Sequence, residues 1–170
     1  MRHPILFIIG QQDFRDEEFL TTKEFLERHG LSTVITAPTR NIASGNQGTE
    51  VQPTLAIPEV DSSAYLGVVF IGGPGVKTYA NMPEATHLAL GFHQQRKIVG
   101  GIGAAVRVLA NAGVLIGRRV TGLAADEELF LDRGAEFSGM NVERDGHVIT
   151  AKDRTAATQF AQEFVRALGG

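Results

Sequence analysis

The chain has 170 residues, enough for one domain around one core, and its 43% hydrophobic and 21% charged residues are ordinary for a soluble globular protein. A net charge of −3 without clustered Lys or Arg gives no footing for nucleic acid or for an anionic membrane surface. The absence of cysteine excludes disulfides, thiolate metal sites and a cysteine nucleophile.

Residues 5–9 form a continuous apolar run ending at Gly10, the pattern of a strand buried on both faces in a parallel sheet. The run is too short to span a membrane and lacks the longer apolar core of a secretory signal, so a cytoplasmic protein is expected. Asp16-Glu17-Glu18 then opens a helical pattern with Phe19 and Leu26 that stops at Gly30, its acidic start complementing the helix dipole. Residues 32–36 predict a second strand, closed by Pro38. The polar, glycine-rich stretch 39–53 predicts a loop or short hairpin. The apolar run 65–71 leads into Gly72-Gly73-Pro74-Gly75. Pro83 starts a helix continuing to about Gln95, and residues 97–101 are a strand that again ends in glycines. Ala105, Val108, Leu109 and Ala112 recur at helical spacing before the stop at Gly113. Short strands are predicted at 119–122 and 141–142, and Asp145-Gly146 is a hairpin turn before a strand at 147–151. Ala157, Phe160, Ala161, Phe164, Val165 and Leu168 then mark one face of a final helix.

Strands alternating with helices imply right-handed βαβ units. The predicted fold is therefore α/β: a three-layer α/β/α sandwich with a mostly parallel central sheet, in one domain over residues 1–170. Sites in such folds lie beyond the carboxyl ends of the strands, which singles out the junctions at 10–18, 71–76 and 100–106. At the last of these, Ile98-Val99-Gly100-Gly101-Ile102 turns sharply into a helix, as at a nucleophile elbow. The apex falls on Gly103, which tolerates a strained backbone angle and has no side chain with which to attack. Gly101-x-Gly103 is a poor dinucleotide fingerprint, because Val106 stands where a third small residue belongs. The glycines equally suit close packing of strand on helix.

At the second junction the amides of Gly72-Gly73-Pro74-Gly75 can form an oxyanion or phosphate nest, or an ordinary glycine turn. At the first junction Glu18 reads as part of a solvated acidic helix start. Followed by Phe19-Leu20, it also reads as a carboxylate at a buried edge, with a raised pKa and an acid–base role. The five histidines, His3, His29, His87, His93 and His147, are dispersed, with no pair at metal-ligand spacing, and are read as surface or satisfied groups. Asp126-Glu127-Glu128 is expected to open or face a short helix. No metal or cofactor is expected.

With these junctions in order, the chain resembles the ThiJ/PfpI superfamily, within the class I glutamine amidotransferase-like (flavodoxin-like) fold. The resemblance covers nearly the whole chain. It is carried by Asp16-Glu17-Glu18-Phe19 before the helix ending Arg28-His29-Gly30, by Val69-Phe70-Ile71-Gly72-Gly73, and by Gly100-Gly101-Ile102-Gly103. The most specific segments are Leu109-Ala110-Asn111-Ala112-Gly113-Val114-Leu115-Ile116-Gly117-Arg118-Arg119-Val120-Thr121 and Gly134-Ala135-Glu136 leading to Asp145-Gly146-His147-Val148-Ile149-Thr150.

The resemblance implies a reactive cysteine at the elbow, often followed by histidine, a glutamate bonded to the thiol, and an oxyanion site of glycine amides. Here Gly103 stands at the cysteine position and Ala104 at the following one. Glu18 matches the glutamate, and Gly72 and Gly73 match the oxyanion loop. Ile71 and Val106 replace two prolines common in the family. The resemblance thus implies a scaffold with its acid but no nucleophile, so cysteine-dependent peptidase, amidase, glyoxalase or deglycase chemistry is not expected. It also implies homodimers or larger homo-oligomers. Three functions compete: a non-catalytic site for a small anionic or carbonyl ligand, a cysteine-independent hydratase, isomerase or glyoxalase/deglycase-like enzyme with Glu18 as general acid or base, and an assembly role.

Overall fold

In the computed structural model, which describes residues 2–169, the first apolar run is strand β1 (Ile5–Ile8). Its alternate side chains enter two separate cores: Leu6 and Ile8 on one face of the sheet, Ile5 and Phe7 on the other. This double burial is why the run carries no polar residue. The chain continues through a short strand β2 (Gln12–Phe14) into helix α1 (Asp16–Arg28), then β3 (Thr33–Ala37). The 39–53 stretch holds a small hairpin, β4 (Ala43–Gly45) and β5 (Glu50–Val51), with β2 paired to β4. Next come β6 (Leu55–Ala56), β7 (Gly67–Phe70), α2 (Pro83–Gln94), β8 (Ile98–Ile102) and α3 (Val106–Asn111). The last third holds β9 (Arg119–Val120), α4 (Glu127–Asp132), β10 (Glu136–Phe137), the hairpin β11 (Val142–Asp145) and β12 (Val148–Ala151), and α5 (Ala157–Ala167).

The main sheet has the order β11-β12-β8-β7-β1-β3-β6. All its neighbouring pairs are parallel except β11 with β12 at the edge. Phe19 and Leu26 of α1 pack with Phe160 and Phe164 of α5 on one face. Leu88 and Phe92 of α2, Leu109 of α3 and Phe130 of α4 cover the other. The expected three-layer α/β/α architecture is therefore observed. No helix among the described residues is long and apolar enough to cross a membrane.

Two glycines of β8 serve close packing. A Cβ at Gly100 would stand 2.7 Å from the Phe164 ring, and one at Gly101 would stand 3.0 Å from Leu109. The elements that periodicity did not mark, β2, β6 and β10, are two or three residues long, below the length at which alternation can register. The chain builds β3 and β6 outward from β1 on one side, then returns to add β7, β8 and β12 on the other. The strand order reverses between β1 and β7, and the crevice at their carboxyl ends is where such a sheet offers a site.

Candidate functional site

Strand β8 ends at Ile102, and the next residue, Gly103, has φ +61°. That left-handed conformation is disfavoured for L-residues with a side chain, which explains glycine here independently of packing. Gly103–Ala105 makes one 3₁₀ turn before α3, so the chain reverses from strand into helix within three residues. Ala104, 7% exposed, faces a pocket of about 400 Å³.

Glu18 sits in the first turn of α1, yet it is only 2% exposed. The reading of Asp16-Glu17-Glu18 as a solvated helix start therefore holds for Glu17 alone. Asp16 and Glu18 are buried, because β4–β5 and the β7 turn close over that end of the helix. Oε1 of Glu18 accepts the Gly72 N–H at 2.8 Å. A Cβ at Gly103 would lie 2.7 Å from Oε2 of the same carboxyl group. The carboxyl thus occupies the space into which a side chain at the elbow would project.

Burial pushes the Glu18 carboxyl up to about 8. The Gly72 amide and the charges of Arg15 and Arg154 oppose this, while Asp153 adds to it. Glu18 is therefore protonated at neutral pH. With Oε1 accepting from Gly72, the proton belongs on Oε2, beside Gly103.

The two glycines after β7 play different parts. The Gly72 N–H is engaged by Glu18 and is not free to serve as an oxyanion donor, contrary to the sequence expectation. Gly73 has φ +112° and lines the pocket. A Cβ there would meet the Arg15 nitrogen and the Asp13 carbonyl at 2.6 Å, so glycine lets the β2–α1 link cross the turn. Asp126 lies beside the cleft, its Oδ2 accepting from Nε of Arg107 at 2.8 Å, whereas Glu127 is exposed.

The pocket also contains residues that the sequence reading missed: Arg15, Arg107, Asp153, Arg154 and Thr155. Arg107 is neutralised by Asp126. Arg154 has Glu17 at 3.8 Å, and Arg15 has no carboxylate within ion-pair distance among the described residues. The Thr155 hydroxyl donates to Asp153, which caps the turn before α5. Asp153, Arg154 and Thr155 follow β12, a parallel strand whose carboxyl end opens on the same crevice. The strand-end rule applied to that fourth junction would have found them. The whole is a small recess lined by three arginines and the Asp153 carboxylate, in which Arg15 is the arginine left without a carboxylate partner among the described residues, with a neutral hydrogen-bond donor at its base.

The pattern of the DJ-1/PfpI family matches residues 3–167. An uncharacterised protein of Methanocaldococcus jannaschii is 32% identical over 167 residues, covering 96% of this chain and 82% of that one. A deglycase of Pyrococcus abyssi is 24% identical over 163 residues, covering 96% of this chain and 98% of its own. Among solved structures, a ThiJ/PfpI domain protein from Brachyspira murdochii superposes with a TM-score of 0.96 at 33% identity, over 99% of this chain and 97% of that one.

Proposed function

The chain belongs to the DJ-1/PfpI family, and we propose that within it this protein is a pseudoenzyme that binds a small anionic carbonyl or hydroxy compound without covalent turnover. The observation that carries this reading is the neutral, buried Glu18 carboxyl lodged against Gly103 at the base of an arginine-rimmed pocket. A ligand carboxylate or phosphate is attracted by Arg15 and Arg154, and its carbonyl or hydroxyl oxygen accepts from Glu18. A charged Glu18 would repel such a ligand. Protonation removes that conflict below about pH 8.

A second reading is favoured by the deglycase relative and by a Glu18 pKa close to neutrality. In it, Glu18 acts as general acid or base on a small carbonyl compound, with no cysteine involved. One pair of measurements separates the two. Thermal-shift titration with small 2-oxo and 2-hydroxy carboxylates and with phosphate is run at about pH 6.5 and about pH 9, on the native protein and on Glu18→Gln. Under the binding reading, native binding weakens about tenfold or more at the higher pH as the donor becomes a negative charge. Glu18→Gln, neutral at every pH, binds equally at both. No stabilisation by any of these compounds would end the binding reading. Turnover that vanishes in Glu18→Gln while binding persists would establish the enzymatic one.

A further inference from the structure

His93 and His147, 54 positions apart in the chain, meet at the amino ends of β8 and β12, the far end of the sheet from Glu18. His93 lies in the last turn of α2, and His147 follows the Asp145-Gly146 turn. Nδ1 of His93 and Nε2 of His147 are 2.8 Å apart, with 26° between the ring planes. One ring must donate and the other accept, so this bond cannot survive with both imidazoles charged.

The pair borders a hollow of about 470 Å³, also lined by Gln94, Arg96, Arg118 and Gly146, with no carboxylate in its lining. Nη1 of Arg118 donates to the Asp145 carbonyl at 2.8 Å and lies 3.4 Å from the Asp145 carboxylate. Arg144 reaches the Gly146 carbonyl from the same hairpin. Arg96, exposed in the turn after α2, has no ion-pair partner among the described residues. The last carbonyls of α2, those of Gly91, Phe92 and His93, are taken by the N–H groups of Gln95, Lys97 and Arg96.

We propose that this hollow binds a phosphate group, either inorganic phosphate or the phosphoryl end of a metabolite. A tetrahedral dianion offers enough acceptor oxygens for the Arg96 and Arg118 forks together with an imidazole N–H. Burial first, and then neighbouring positive charge, holds both imidazoles below the usual histidine value, so at neutral pH the hollow presents a neutral pair and two guanidinium groups. Anion binding favours the charged imidazole and so takes up a proton. Asp145 opposes the anion from the hairpin, and Arg118 stands between it and the hollow. A metal ion fits poorly. The arginines repel it, and a tetrahedral zinc about 2.0–2.1 Å from each nitrogen would hold them roughly 3.3 Å apart, wider than this direct bond.

The test follows the histidine ring protons by NMR while the full chain is titrated with inorganic phosphate and, separately, with glycerol phosphate, at about pH 6 and about pH 7.5. Saturable shifts confined to His93 and His147 are expected at both pH values, with His3, His29 and His87 unmoved. Arg118→Gln and Arg96→Gln should each weaken binding about tenfold or more. Arg15→Gln, in the Glu18 pocket, should leave it unchanged, which keeps this site distinct from the other. Tighter binding of the ester would identify a phosphorylated metabolite as the source, and equal binding the phosphate group alone. Arg96 is exposed, so its variant reports even if Arg118→Gln fails to fold. Shifts that do not saturate, that spread over all five histidines, or that survive Arg96→Gln undiminished would overturn the proposal.

Discussion

A side chain at Gly103 faces two separate penalties: a left-handed backbone at φ +61° and a carboxyl oxygen 2.7 Å from where its Cβ would stand. The backbone penalty is about 1–2 kcal/mol, and the contact is relieved only if Glu18 swings away from the Gly72 amide. Gly103→Ala should therefore lower unfolding free energy by about 1–3 kcal/mol in urea titration, and should loosen the ligand site as Glu18 is displaced. An alanine variant as stable as the native protein would mean that Glu18 does not fill the elbow. Glycine at this apex was legible in sequence, because the strand–glycine–helix pattern is local. The protonated state of Glu18 was legible only as one of two readings. Which one holds depends on how deeply distant segments, among them the turn at Gly72, 54 residues away in the chain, bury the carboxyl against the bond that Gly72 donates.

Helix α1 shows how an element can be read correctly while its ends are misjudged. The acidic first turn predicted a helix start, and the helix does begin at Asp16. Asp16 is nevertheless a staple rather than a solvated charge. Its Oδ1 accepts the Gln47 N–H at 2.8 Å and its Oδ2 the Thr49 N–H at 2.9 Å, tying the β4–β5 hairpin to the helix. Burial alone would raise this carboxyl, but the bonds from Thr49 and Gln47 outweigh it and hold the group below its ordinary value. Asp16→Asn keeps one acceptor and loses the charge. It should cost about 1–3 kcal/mol and speed amide hydrogen exchange at Gln47 and Thr49, while exchange within α2 and α5 stays unchanged. Unaltered exchange at those two amides would refute the staple. The polar stretch 39–53 carried no periodicity because its two strands are short: only Ala43 and Val51 reach the core, and the Asp16 carboxylate ties the turn between them to the helix.

For the whole molecule, the raised pKa of Glu18 makes a prediction about stability against pH. The folded state keeps the Glu18 proton up to about 8, whereas the unfolded chain releases it near 4.5. Between those values the folded form binds more protons, so stability falls as pH rises and levels off above the folded value. His93 and His147 act in the opposite sense, but only below their ordinary value of 6.5. From about pH 7 to 8, then, native stability should fall by up to about 1.4 kcal/mol per pH unit, and Glu18→Gln should flatten the slope. Chemical denaturation at closely spaced pH values measures it, and an equal slope in both proteins would reject a buried, protonated Glu18. The sequence by itself determined the layered α/β architecture, the absence of any thiol and the glycine at the elbow, because these depend on composition and on patterns repeated within a few residues. Only the tertiary structure decided that Gly72 serves Glu18 rather than a ligand, that Arg15, Arg107 and Arg154 share one recess, and that His93 meets His147. Those are encounters between segments far apart in the chain. Their energies come from burial and charge in a shared space, which no run of neighbouring residues encodes.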